Sequence, residues 1–249
     1  MQLLLLNKLT KLFTIIFVSF LLVGCRGIGS SSGSRHSEVK LKTVIAGSDY
    51  SFALSDNGKV YAAGDNYYGQ LGLRNATNRK TFTEVAELND KNITAITAGY
   101  YHSLALSDNG KVYAAGYNYY GQLGLGDNVS RNVFTEVTDL VGKNIVAVSA
   151  KGDFSLALSK DGKVYAAGRN DNGELGLGDK INRNIFTKVA SLNSKNIIII
   201  SVGVVHSMAL SNDGKVYATG WNISGQLGLS DSKHKTSRKT FTEVSFLSD

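Results

Sequence analysis

Serine, histidine and aspartate carry the reactive groups that recur at regular spacing in this 249-residue chain. Ser51, Ser103, Ser155 and Ser207 return every 52 residues. His102 and His206 precede two of them, and Tyr50 and Phe154 hold the matching positions. A nucleophilic triad needs one serine, one histidine and one acid converging on a single site. No acid recurs beside these serines, and a position that takes Tyr, His and Phe alike reads as packing or a strand-end hydrogen bond. Asp127 and Asp179 follow Leu-Gly-Leu-Gly, with Asn75 as the first counterpart and Asp231 nearby in register. One carboxylate per loop is far fewer than a calcium loop supplies, so these read as turn caps. Gly121-Gln-Leu-Gly-Leu-Gly126 lacks the Gly-Lys-Ser/Thr and the helix of a phosphate loop. The acid pair of a glycosidase is missing too. No enzyme, metal site or cofactor is expected. The lone cysteine, Cys25, forms neither an internal disulfide nor a cysteine metal cluster.

Charge carries more direction. The net charge is +7, and residues 1–24 contribute Lys8 and Lys11 but no acid, which leaves +5 beyond them. Cations gather between each Leu-Gly-Leu and the following Phe-Thr: Arg74, Arg79 and Lys80, then Arg131, then Lys180 and Arg183, then Lys233, His234, Lys235, Arg238 and Lys239. If equivalent loops emerge on one side of the fold, these cations form a basic surface. The candidate binding residues are therefore Arg79, Lys80, Arg131, Lys180, Arg183, Lys233, Lys235, Arg238 and Lys239. Lys59, Lys111, Lys163 and Lys215 form a second set beside the turns.

The elements that must position them come from a repeat. Segments beginning at Phe52, Leu104, Leu156 and Met208 align without gaps, and the glycines 69, 121, 173 and 225 keep a strict 52-residue step. Phe-Thr-x-Val follows at Phe82, Phe134, Phe186 and Phe241, the last delayed by three residues. Each unit predicts four short strands. A β-branched run ends at Ala98-Gly99, and an alternating run follows at Ser103–Leu106. Lys111–Gly116 and Phe134–Val137 complete the unit, with Phe and Val on one face of the last strand. Asn57-Gly58, Asn109-Gly110, Asp161-Gly162 and Asp213-Gly214 are strong hairpin signals, because both turn positions tolerate positive φ. Glycine at 27 residues, Tyr plus Phe at 22 and no proline fit a strand-and-turn chain. A turn-rich unit of four strands is a propeller blade. The predicted class is all-β and propeller-like, with four repeats of about 52 residues.

The instances Ala98-Gly99, His102-Ser103, Ala105-Leu106, Gly110-Lys-Val-Tyr113 and Gly121-Gln-Leu-Gly124 resemble the regulator of chromosome condensation (RCC1) repeat. The resemblance implies a β-propeller that binds proteins. The chain departs from it at Ala63, Ala115, Ala167 and Thr219, where the family often has Trp, and in having four repeats where seven blades are usual. Two architectures follow: a closed four-bladed ring, or an open arc whose exposed end strands invite pairing with another copy.

Residues 1–24 combine two lysines with an apolar stretch from Leu12 to Val23, as in a secretory signal. Leu22-Val23-Gly24-Cys25 resembles the bacterial lipobox, which implies lipid attachment at Cys25. Residues 25–38 form a Gly/Ser-rich tether, and residues 39–249 form the repeat domain. The expected protein is a non-enzymatic, lipid-anchored scaffold of a bacterial cell envelope, at the outer membrane or cell surface. Its expected partner is a protein or an anionic envelope polymer, with no nucleic acid. The alternative is regulation of a small GTPase by nucleotide exchange, in a host cell. A uniform 52-residue step leaves no room for an inserted exchange wedge.

Overall fold

Asparagine-glycine and aspartate-glycine turns, set between alternating apolar runs, fold this chain into four hairpin-built sheets. The computed structural model describes residues 39–229 and 237–245. Cys25, the 1–24 segment, the tether, Lys233 and Lys235 lie outside the described residues. One compact unit holds all four repeats, from Val39 to Asp249. No helix among the described residues is long and apolar enough to cross a membrane.

The first sheet contains β1 (Leu41–Ala46), β2 (Tyr50–Ser55), β3 (Val60–Gly64) and β4 (Arg79–Glu84). The second contains β5 (Ile93–Ala98), β6 (His102–Ser107), β7 (Val112–Gly116) and β8 (Arg131–Glu136). The third contains β9 (Ile145–Lys151), β10 (Phe154–Ser159), β11 (Val164–Gly168) and β12 (Arg183–Lys188). The fourth contains β13 (Ile197–Val202), β14 (His206–Ser211), β15 (Val216–Gly220) and β16 (Arg238–Glu243). Each is an antiparallel meander in chain order. The chain is all-β and propeller-like, as its repeats predicted.

The hairpins form where the turn pairs predicted them, and one strand end differs from expectation. In the hairpins only the glycine takes positive φ, for example 82° at Gly58 and 78° at Gly110. The Gly58 amide donates to Ser55 O at 3.2 Å, which makes a turn with left-handed glycine in its last position. The asparagine has another task. Its Oδ1 accepts the Ser55 hydroxyl at 2.6 Å, and Asp161 does the same for Ser159 at 2.5 Å. The fourth strand also ends one residue early, at Glu136. Val137 is fully buried and directly precedes a short 3-10 turn; three residues from Phe134, it falls on the opposite side of a chain that alternates every two residues, so the two do not share a face.

Consecutive sheets stack through a junction that occurs three times. Phe134, Phe186 and Phe241 are 4–7% exposed. Each lays its ring against Gly72, Gly124 or Gly176 of the preceding blade, where a Cβ would collide with it. Single β-bridges join Leu73 to Val133, Leu125 to Ile185 and Leu177 to Thr240. The serines tie the same seams: Ser103, Ser155 and Ser207 donate to the carbonyls of Gln70, Gln122 and Glu174 at 2.7–2.8 Å. Separate apolar cores fill the seams between blades 1 and 2, 2 and 3, and 3 and 4.

The arc is open. Phe82, the first-blade counterpart of these phenylalanines, is 53% exposed, and Val44 is 71% exposed where Ile96 and Ile200 are 7–8% exposed. At the other end, a Cβ built on Gly228 meets only Val244 of its own blade, not a neighbouring phenylalanine.

Candidate binding face

Strand direction assigns every loop to one of two ends. The β1–β2 type turns and the long β3–β4 type loops share one end, and the hairpins and 3-10 turns share the other. The long loops are held rigid by a buried asparagine. Asn118 donates to the carbonyls of Asp127 and Val129 at 2.9 and 3.2 Å and accepts from the Leu123 amide at 2.9 Å. Asn66 and Asn170 repeat that arrangement. Side chains on these loops therefore have fixed positions.

The predicted cations among the described residues lie at this loop end, but most serve the loops themselves. Arg131 pairs with Asp127 at 2.5 Å and donates to Val129 O, and Arg183 pairs with Asp179 at 2.5 Å and donates to Ile181 O. Burial raises the pKa of each carboxyl, yet the amides of Val129 and Ile181 and the paired arginines together hold both below the usual value. Arg79 uses Thr77 O and Asn75 Oδ1, so the first-repeat asparagine replaces the aspartate. Arg74 pairs with Glu87, and Arg238 at the start of β16 is also engaged. Lys80, Lys180 and Lys239 are exposed. At the opposite end, Lys59, Lys111 and Lys215 pair with Glu84, Glu136 and Glu243 at 3.0–3.2 Å, and Lys163 reaches Asn193 O.

The reactive pairs are structural. His102 is fully buried, and its Nε2 lies 2.9 Å from Ser155 Oγ, which itself donates to Gln122 O. The ring therefore donates across the seam, with no carboxylate behind it. Desolvation pushes its pKa down to about 3. Tyr50, one blade earlier, donates to His102 O at 2.6 Å, and burial raises its phenol. No cluster of three or more metal-ligating groups occurs among the described residues.

The same end carries a feature that charge and motif reading passed over. Seven tyrosines from three loops form one connected aromatic patch across blades 1 and 2. Tyr68 is its hub, with ring centroids 4.9 Å from Tyr67, 5.1 Å from Tyr101 and 4.6 Å from Tyr117. Tyr117 stacks on Tyr119 at 6.2 Å, Tyr119 meets Tyr120 edge-on, and Tyr100 flanks Tyr101. Tyr67 and Tyr119 are 70% and 66% exposed. A groove of about 310 Å³ runs beside the patch, lined by Tyr67, Tyr68, Ala76, Ser130 and Arg131.

In the third blade the aromatic positions become charged. Arg169 lies 5.4 Å from the centre of the Tyr120 ring and pairs with Asp171 at 2.7 Å and Asp153 at 4.0 Å. Asp171 mainly, through its hydrogen bond, raises the guanidinium pKa further. Burial raises the Asp153 carboxyl, partly offset by Arg169. Glu174 is buried where the other repeats have Gln, and desolvation raises its pKa. In sequence the signal was three Tyr-Tyr pairs, 67–68, 100–101 and 119–120, together with a third repeat that breaks the pattern with Arg, Asp and Glu.

Comparison with known proteins agrees with this architecture. The family model for the "Regulator of chromosome condensation (RCC1) repeat" matches residues 42–70, 93–122, 145–174 and 197–226. A second model of the same description matches 57–106, 109–158 and 161–210. The Ultraviolet-B receptor UVR8 of Arabidopsis thaliana is 33% identical over 191 residues, covering 77% of this chain and 43% of the receptor. The human probable E3 ubiquitin-protein ligase HERC6 is 36% identical over 198 residues, covering 77% of this chain and 19% of the ligase. Among solved structures, human WBSCR16 superposes with a TM-score of 0.75 at 26% identity, covering 86% of this chain and 54% of that one. Yeast RCC1 (Prp20), solved bound to Kap60, gives 0.72 at 23% identity, covering 85% and 50%. The chain thus spans less than half the length of these curated relatives. With all four repeats matched, and the blades they encode visible in the sheets, the chain belongs to the RCC1 repeat family.

Proposed function

We propose that this protein is a non-enzymatic binding module, tethered to a membrane through lipid on Cys25, that offers the tyrosine-lined loop end of its arc to a protein partner. The observation that carries the reading is the seven-tyrosine patch on rigid loops. Tyrosine gives large contact area with few rotatable bonds and a hydroxyl for partner groups, and is enriched where proteins meet. Arg169 beside Tyr120 adds a fixed cation at the edge. Yeast RCC1 (Prp20), which shares this fold, was solved bound to Kap60, so a protein with such repeats has a protein partner. The exposed Lys80, Lys180 and Lys239 supply a basic surround that speeds association with an acidic partner surface.

The test is affinity capture of proteins from a detergent-solubilised envelope by the full chain and by Tyr67→Ser/Tyr119→Ser. Each lost anchor should weaken a specific complex by about tenfold or more. Equal capture by both forms would refute the tyrosine reading. Equal loss on neutralising Lys233, Lys235, Arg238 and Lys239 in low salt only would instead favour an anionic polymer. The anchor is tested separately: incorporation of labelled fatty acid should disappear in Cys25→Ser.

A further inference from the structure

The two ends of the arc are complementary halves of one junction. Every internal seam uses the same parts: a phenylalanine over a glycine, a serine on a carbonyl, a single β-bridge, and a second glycine against the next blade's backbone. The leading blade carries one half of this set without a partner. Phe82 is 53% exposed, Lys80 is exposed, and Ser51 makes no side-chain hydrogen bond among the described residues, unlike Ser103, Ser155 and Ser207. Around them lies an open groove of about 400 Å³, lined by Gly47, Tyr50, Ser51, Ala63, Lys80 and Phe82.

The trailing blade carries the other half. Gly69, Gly121 and Gly173 each sit against the backbone of Asn132, Asn184 or Lys239, so a Cβ there would collide. At Gly225, the fourth of the series, a Cβ would meet no described atom within 4 Å. Gly228 waits where Gly72, Gly124 and Gly176 hold a phenylalanine ring. His206 is only partly buried and has no acceptor among the described residues, whereas His102 reaches Ser155 of the next blade.

We propose that two copies of this chain dock head to tail, the first blade of each against the fourth blade of the other, and close a ring of eight blades. The occupant is a second copy because the surface that fits the fourth blade is a first-blade surface, as the three internal seams demonstrate. Phe82 then covers Gly228, Ser51 reaches the Gln226 carbonyl and accepts from His206, and Leu229 bridges to Thr81. A heterologous interface closes only if its rotation permits, and eight blades lie within the range of known propellers. The aligned single-chain relatives of known structure are about twice as long as the matched part of this chain. Two copies therefore supply a complement of blades similar in size to theirs.

Native mass spectrometry of the full chain in mild detergent tests this. The wild type should appear with the mass of two copies. Phe82→Glu and Gly225→Ala act on opposite ends, and each should give the one-copy mass with unchanged circular dichroism; Gly225 has a φ of 76°, so a thermal melt of that variant separates local backbone strain from the lost contact. A photo-reactive benzoylphenylalanine at position 82 should cross-link to residues 225–229 of another copy. A one-copy wild type, a two-copy mass that survives both substitutions, cross-links elsewhere, or a ladder of three and more copies would each overturn the closed pair.

Discussion

Replacing His102 with phenylalanine should remove most of the acid sensitivity of the seam between blades 2 and 3. The imidazole is fully buried, its Nδ1 has no partner among the described residues, and its pKa is pushed down to about 3 from 6.5. Above pH 6.5 both folded and unfolded chains keep it neutral, and its contribution is fully present. As pH falls below 6.5 the unfolded chain takes a proton that the folded one refuses, so stability is lost until about pH 3. Between pH 7 and pH 5 that loss amounts to about 2 kcal/mol, reaching about 4 kcal/mol at pH 3. Phenylalanine already fills this position in the third blade, where Phe154 is 0% exposed, so the ring fits. At pH 7 the variant gives up one seam hydrogen bond, about 1 kcal/mol. Urea unfolding at pH 7 and pH 5 reads the difference, and the contribution of every other titrating group cancels between wild type and variant. Parallel losses in the two proteins would refute the assignment of the proton to His102.

Two further outcomes follow from the loops. Glu174→Gln should raise stability at pH 7, with the gain vanishing near pH 4. Burial raises the Glu174 pKa, so its penalty is absent below the unfolded value and grows as pH rises through it. Thermal melts at the two pH values decide this, and an equal shift at both would contradict it. Asp127→Ala should cost more than Arg131→Ala, because the carboxylate also accepts from the Val129 amide at 3.0 Å and from Asn118 at 3.1 Å. A double-mutant cycle should give a coupling below about 1 kcal/mol for this part-exposed pair; a much larger value would show the loop to be more tightly closed than its exposure implies.

Much of the fold was legible because each repeat spells its own sheet. The turn glycines, the alternating runs and the 52-residue step locate all four blades to within a residue or two. The exceptions are local. Asn-Gly or Asp-Gly marks each hairpin, but its two residues differ: the glycine takes positive φ, while Asn57 accepts the Ser55 hydroxyl two residues earlier. Val137 looked like a strand residue because its burial is satisfied equally well just before the 3-10 turn. The site was harder to see. Arg131 and Arg183 counted as free cations in sequence, while the loop brings Asp127 and Asp179, four residues earlier, back onto them. The tyrosines span residues 67–120 and converge only when two blades stack, and no local period announces that.

Each sheet is cut from one unbroken stretch of chain, with no strand lent by one repeat to another. The number of blades is therefore not fixed by any closing strand. Duplicating a 52-residue segment would add one sheet and one seam and leave every existing pairing intact, and deleting a middle one would join neighbours through residues already matched to each other. Length in such a chain is a variable that a single recombination event can reset, while its first and last faces keep their chemistry at any count.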